Sequence, residues 1–210
     1  YSWRPYLSTI INYLLPARCL SCGTNNYYLC RDCRALIPRS EALEIADTEA
    51  VFNYQDDRIK QAIWQLKYRG GRAVSRDLAQ SLHEHWLEGS SEWQSLRLVK
   101  QDLCLVIPIP VTRKRKNERG FNQAQVMAKH FVNLNRYNLE LCYNVLLKTR
   151  DTTSQMKTRD RKNRLDNLRD AFAVPENQKP KIQDKNILLI DDVITTGATI
   201  YEARKKTPEV

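Results

Sequence analysis

Ile187-Leu188-Leu189-Ile190-Asp191-Asp192-Val193-Ile194-Thr195-Thr196-Gly197-Ala198-Thr199 is the stretch whose reading decides the fold. Its apolar opening, Ile187 to Ile190, has the character of a buried strand. Two adjacent carboxylates follow where that strand ends, and open α/β sheets bind ligands at the carboxyl ends of their strands. Small hydroxylated residues and one glycine then lead into a helix expected from Gly197 to Lys206. Backbone N–H groups at such a turn point outward, and the helix dipole favours an anion. Thr195, Thr196 and Thr199 add hydroxyl donors, so the loop suits a phosphate monoester. Asp191 and Asp192 would repel a phosphate they touched. They are expected to accept hydrogen bonds from vicinal ribose hydroxyls, or to stand near a metal. A phosphate site with a diol site beside it describes ribose 5-phosphate. Without a ligand, the same residues would be a strand, a solvated acid pair and a threonine cap.

Upstream, Leu103 to Ile107 is a second continuous apolar run, closed by Pro108. The segment after it is read as a basic loop, in which five of the seven residues from Arg113 to Arg119 are Lys or Arg. A basic loop leaving a buried strand suits a second anion, and pyrophosphate there would complete phosphoribosyl pyrophosphate. Helices are expected from Arg58 to Tyr68, with Ile59, Ala62, Ile63 and Leu66 at helical spacing, from Ala73 to Glu88, and from Asn122 to Leu134. Shorter strands are expected at Ala50 to Tyr54, within a polar connector over 39–57, and at Cys142 to Leu147. Strands alternating with helices point to an α/β fold, a mostly parallel sheet flanked by helices. Residues 1–18 read as an amphipathic helix stopped by Pro16.

Four of the six cysteines form two pairs, Cys19-x2-Cys22 and Cys30-x2-Cys33. Two such pairs complete a tetrahedral all-thiolate site, which favours zinc and leaves no open position for catalysis. The expected role is structural, in a small N-terminal zinc-ribbon-like module over residues 1–38. Residues 39–210 form the main domain. Tyr27, Tyr28, Arg31 and Arg34 in or beside the module could stack on bases and contact phosphates, or simply cover the ribbon. Cys104 and Cys142 fall in apolar runs and read as packing residues. His83 and His85 read as surface residues that cannot face one ligand together.

The net charge is +10. An excess of that size favours polyanionic partners without choosing among nucleic acid, nucleotides and anionic membrane. No run approaches the roughly 18 apolar residues of a membrane span, so the chain is expected not to span a membrane. Paired cysteines without a secretory leader point to a reducing cytosol. The sequence opens on Tyr1, as one starting inside its gene product would.

From Asp191 to Thr199 the chain resembles the phosphoribosyl pyrophosphate signature of type I phosphoribosyltransferases. By that resemblance Asp191 and Asp192 hold the ribose hydroxyls, and Thr195, Thr196, Gly197, Ala198 and Thr199 cradle the 5-phosphate. Val111, Thr112 and Arg113 belong to the loop that holds pyrophosphate and Mg2+, with Arg119 as a further contact. The wider pattern is more specific: Pro108-x-Pro110, Arg119-Gly120-Phe121-Asn122-Gln123, Gln155, Arg164, Asn167, Phe172 and the Asp-Asp loop resemble the competence protein F family, over residues 14–204. Many members carry a four-cysteine module ahead of a phosphoribosyltransferase-like domain. Members usually continue past the last helix into another strand, whereas Lys205 to Val210 follow it here.

The resemblance implies a phosphoribosyl pyrophosphate-binding protein acting in uptake or processing of incoming single-stranded DNA during bacterial natural transformation. Phosphoribosyl transfer to an unidentified acceptor is the chemistry such a site could perform; no residue stands out as its general base. The implied partners are single-stranded DNA and a DNA-uptake helicase or recombination-loading protein, in the cytoplasm, either free or at the inner face of the membrane. The charged segment 148–170 is the counterpart of a closing lid, with Gln155 and Arg164 as its contacts, or else a solvated helix or a stretch that tracks a nucleic-acid backbone. The alternative is a phosphoribosyltransferase of nucleotide salvage or other small-molecule metabolism with no DNA role.

Overall fold

The computed structural model describes residues 17–41, 43, 45–68, 72–88, 103–135, 138–150 and 168–207. In chain order the helices are α1 (Arg31–Ala35), α2 (Asp57–Tyr68), α3 (Arg72–Glu88), α4 (Arg113–Arg119), α5 (Gln123–Leu134), α6 (Lys179–Ile182) and α7 (Ala198–Arg204). The strands are β1 (Cys104–Pro108), β2 (Leu139–Leu141), β3 (Leu147–Lys148), β4 (Phe172–Ala173) and β5 (Asn186–Ile190). The expected helix over 1–18 falls largely outside the described residues, as do Gln155 and Arg164.

β1 is the centre of a parallel sheet of order β2-β1-β5. All five of its residues are buried, as the apolar run Cys104 to Ile107 requires when both faces are covered. Alternation assigns the faces. Cys104 and Val106, with Leu188 and Ile190 of β5, meet Ala79, Trp86, Ala128 and Phe131 from α3 and α5. There the Trp86 and Phe131 rings pack edge to face at 5.8 Å. Leu105 and Ile107 meet Val145, Leu146, Phe172, Ile200 and Ala203 on the other face. The result is the expected α/β sandwich of a parallel sheet between covering layers.

Three expectations change. The segment after β1 is not a loop: Arg113–Arg119 is helical, begun by Thr112, whose hydroxyl accepts the Arg115 N–H at 3.4 Å, and ended by Gly120 at φ 77°. Basic side chains with long stems are good helix formers, and the Thr cap and Gly stop supply the ends. The strand expected at Cys142 to Leu147 divides into β2 before it and β3 at its end, with Asn144 turning at φ 62° between them. Of the strand expected at Ala50 to Tyr54, only a single bridge from Phe52 to Arg39 forms.

A third core holds the cysteine segment against the sandwich. Leu29 and Ile37 pack with Ile59, Ala62, Ile63 and Leu66 of α2, Val74 and Leu78 of α3, and Phe121 and Met127. Polar ties fix the docking. The buried Asp77 carboxylate accepts the Tyr28 and Leu29 N–H groups at 2.6 and 3.1 Å. Arg34 reaches Glu84 at 2.9 Å and the Leu29 carbonyl at 3.1 Å.

Candidate functional site

The chain leaves β1 for β2 on one side and reaches β5 on the other, so the sheet reverses its winding between β1 and β5. Crevices at such reversals, outside the strands' carboxyl ends, are where open α/β sheets take ligands. The register pairs Pro108 with Ile190, and the Ile109 N–H donates to the Ile190 carbonyl at 2.8 Å. Asn122 then fastens the end of β1 to α5. Its amide donates to the Ile109 carbonyl at 3.0 Å, and its oxygen accepts the Ala124 N–H at 3.0 Å. The two segments singled out from sequence therefore leave the sheet side by side.

A cleft of about 1070 Å³ opens along β5 and its exit loop. Asp191, Asp192, Thr196, Gly197 and Ala198 line it. Thr195 is exposed and Thr199 half-buried; neither lines the cleft, and neither do Val111, Thr112 and Arg113. Gly197 has φ 73°, a conformation costly to any other residue, and a Cβ there would overlap the Ile45 side chain.

The two carboxylates are not equivalent. The Asp192 N–H donates to Asp191 Oδ1 at 2.8 Å, while Asp192 Oδ2 lies 3.1 Å from Lys67 Nζ. Burial, reinforced by the neighbouring Asp192 charge, pushes the Asp191 carboxyl up to about 8. Asp191 therefore holds its proton more readily than a free carboxyl, and Asp192 is ion-paired with a lysine. That arrangement sets a cation beside two acidic side chains in one short stretch and lowers the repulsion an incoming anion would meet.

Lys67 and the connector over 45–49 carry no signal that sequence reasoning singles out. Lys67 lies in the last turn of α2, and the helical spacing of Ile59, Ala62, Ile63 and Leu66 could have placed it beside the buried face. The connector has no such pattern. It lies along the cleft through long-range interactions: Arg204 bonds the Ala46 carbonyl at 2.5 Å and Asp47 at 2.8 Å, and His85 meets Glu49 at 2.7 Å. His85 is thus an engaged, partly buried residue, against the expectation of a surface one. His83 is likewise partly buried, with Nδ1 lacking a partner among the described residues.

The four cysteines of the N-terminal pairs converge. The Sγ atoms of Cys19, Cys22, Cys30 and Cys33 all lie within 4.8 Å of one another, and Cys22 Sγ is 3.6 Å from Cys30 Sγ. Tetrahedral Zn–S bonds of about 2.3 Å put sulfurs just under 4 Å apart, so the cluster is compatible with structural zinc. The turns are built for it: the Gly23 N–H donates to the Cys19 carbonyl at 2.9 Å, and the Cys30 N–H meets Cys19 Sγ at 3.5 Å. Cys104 and Cys142 are buried in the sheet's two faces, as expected. Arg34, a candidate phosphate contact by sequence, is only 6% exposed and spent on Glu84 and Leu29. Tyr27 and Arg31 remain exposed.

Among curated proteins, the chain is similar to competence protein ComFC of Bacillus subtilis (strain 168), with 26% identity over 98% of this chain and 75% of that protein. It is similar to competence protein F of Haemophilus influenzae, with 26% identity over 89% of the chain and 76% of the relative. The DNA utilization protein YhgH of Escherichia coli (strain K12) matches at 29% identity over 46% of the chain and 40% of its own length. No protein-family model matches the chain, and no solved structure matches it.

Proposed function

We propose that this chain, which its relatives ally with the competence protein F family, binds phosphoribosyl pyrophosphate at the β1–β5 crevice and acts in uptake or processing of incoming single-stranded DNA. The relatives' names support a role in competence and DNA uptake. The phosphoribosyl reading goes further and rests on one geometric observation: Asp191 and a lysine-paired Asp192 stand side by side at a cleft that Thr196, Gly197 and Ala198 also line.

In this reading the ribose hydroxyls meet the acid pair and the 5-phosphate lies against the backbone of Thr195 to Thr199. Mg2+ prefers oxygen donors and would arrive with the pyrophosphate, and its charge would favour the ionised form of a carboxyl beside it. Val111, Thr112 and Arg113 stand at the neighbouring strand exit for the pyrophosphate end. Dissociation of pyrophosphate from a bound ribosyl group asks mainly for stabilisation of leaving-group charge, which Lys67 and the basic side chains of α4 can supply. Phosphoribosyl transfer is therefore the chemistry this site could perform.

The test is calorimetric titration with phosphoribosyl pyrophosphate and Mg2+, with and without single-stranded DNA. The expected result is saturable one-site binding whose affinity changes when DNA is present, because a ligand coupled to DNA handling must feel it. Saturable binding indifferent to DNA would favour small-molecule metabolism instead. No binding in either arm would remove the phosphoribosyl reading.

A further inference from the structure

Three arginines that tie this fold together each meet a carboxylate: Arg34 meets Glu84 at 2.9 Å, Arg58 meets Asp56 at 2.6 Å and Arg204 meets Asp47 at 2.8 Å. Arg119 differs. It is half-buried, yet among the described residues it makes no ion pair. Two neutral groups hold it instead. Its Nη1 donates to Gln123 Oε1 at 3.3 Å, and its guanidinium carbon lies over the Tyr68 ring, 5.9 Å from the centroid. An amide oxygen and a ring face fix a guanidinium without cancelling its charge.

The amide at position 123 is the less obvious choice there. Gln123 is only 1% exposed, and its Nε2 has no partner among the described residues. A buried amide N–H left unpaired costs free energy, and leucine would avoid that cost. Glutamate would grip the arginine harder, because a charge-assisted bond is the stronger kind, but it would neutralise it. Glutamine binds the guanidinium and leaves its charge whole. Its position is fixed, since it opens α5 next to Asn122, which is bonded to the Ile109 carbonyl at the exit of β1. Tyr68 in turn follows Lys67, which lies 3.1 Å from Asp192. Contacts on both sides thus set Arg119 between the exit of β1 and the helix end that reaches the acid pair. Lys67 is already paired there; Arg119 keeps its charge for a ligand.

We propose that Gln123 and Tyr68 are positioning residues that hold Arg119 oriented and uncompensated for the pyrophosphate end of the ligand. The proposal rests on the phosphoribosyl reading above and adds to it two residues that act through Arg119 without touching the ligand. A guanidinium already held in place loses less freedom on binding than a solvated one, and its fork suits two phosphoryl oxygens. The chemistry of the holding groups predicts a reversal. A substitution that grips Arg119 more tightly should weaken ligand binding if it also brings a negative charge.

The experiment is calorimetric titration of the full chain with phosphoribosyl pyrophosphate and Mg2+, and separately with ribose 5-phosphate, which lacks the pyrophosphate. Wild type should bind the first ligand more tightly. Gln123→Glu, which keeps the side chain's length, should lower phosphoribosyl pyrophosphate affinity by about tenfold or more. Its ribose 5-phosphate affinity should stay within about twofold of wild type, which also shows that it folds. Gln123→Leu and Tyr68→Leu keep the charge but free the arginine, so each should lose about threefold on phosphoribosyl pyrophosphate alone. Tyr68 is 60% exposed, so Tyr68→Leu decides the matter should the buried glutamate disturb the core. Gln123→Glu binding phosphoribosyl pyrophosphate as wild type does would overturn the proposal. So would a Tyr68→Leu protein that loses nothing, or that loses equally on both ligands, since an equal loss marks a merely structural role. If wild type holds the two ligands equally well, the positioning role falls while ribose recognition stands. Wild type that binds neither would remove the phosphoribosyl reading itself.

Discussion

Replacing Asp191 and Asp192 together by alanine is expected to lower phosphoribosyl pyrophosphate affinity by about a hundredfold or more. Hydrogen bonds to charged groups contribute about 1.5–3 kcal/mol each, and every 1.4 kcal/mol is about tenfold in affinity. The Asp191 carboxyl, held toward its neutral form, contributes about 0.5–1.5 kcal/mol instead, so losing both ribose hydrogen bonds costs about 2–4.5 kcal/mol, a range that spans a hundredfold. Removing Asp192 alone should cost less. It frees Lys67, now 3.1 Å from Asp192 Oδ2, to meet the ligand's negative charge directly. Calorimetry on the single and double variants would measure both effects; binding by the double variant within a few-fold of wild type would contradict the assignment.

Stability separates a weakened site from an unfolded protein. The Asp191 carboxyl is raised from 3.8 to about 8 by burial and by Asp192. Folding then binds a proton between those values, so the group's contribution to stability falls as pH rises from about 4 to about 8. Asp191→Asn copies the neutral form and should melt no lower than wild type at pH 7, while still binding the ribose hydroxyls less well.

The second large effect is expected from the cysteine cluster. Cys33→Ala, or removal of metal by a chelator, should lower the melting temperature by more than about 10 °C. Structural zinc contributes apparent binding energies of about 10–16 kcal/mol in isolated fingers, against a total stability of about 5–15 kcal/mol for a typical domain. The loss would not stay local. Leu29 and Ile37 of the cysteine segment share a core with α2 and α3, and the Asp77 carboxylate is committed to the Tyr28 and Leu29 N–H groups. Opening that core leaves Asp77 buried without its partners and loosens the helix that carries Lys67. Thermal melts with bound zinc measured on the same samples would check it. A metal-free protein that melts within a degree or two of the loaded one would show the cluster to be dispensable.

Legibility in the sequence follows the range of the interactions. β1 and β5 are readable because a strand buried on both faces needs an unbroken apolar run, and Leu103 to Ile107 and Ile187 to Ile190 are such runs. The cysteine cluster is readable because two short CxxC spacings leave little freedom in where the thiols point. α4 escapes a sequence reading as a helix because its basic residues suggest a ligand loop, while its cap, Thr112, and its stop, Gly120, pass for loop chemistry. Lys67 and the connector at 45–49 depend on partners far away in sequence, Asp192 and Arg204, and no local pattern reports such pairs. In the connector Asp47 and Glu49 engage Arg204 and His85.

The central claim is that the Asp191 to Thr199 loop recognises ribose 5-phosphate, and not merely that a basic protein attracts an anion. Phosphorus NMR of phosphoribosyl pyrophosphate tests it most directly, because the 5-phosphate and pyrophosphate resonances are resolved and report separately. With wild-type protein and Mg2+, both are predicted to shift and broaden at substoichiometric protein, and Asp191→Ala/Asp192→Ala should restore both to their free positions. A pyrophosphate signal that moves while the 5-phosphate stays at its free position, with the double variant behaving like wild type, would contradict the claim.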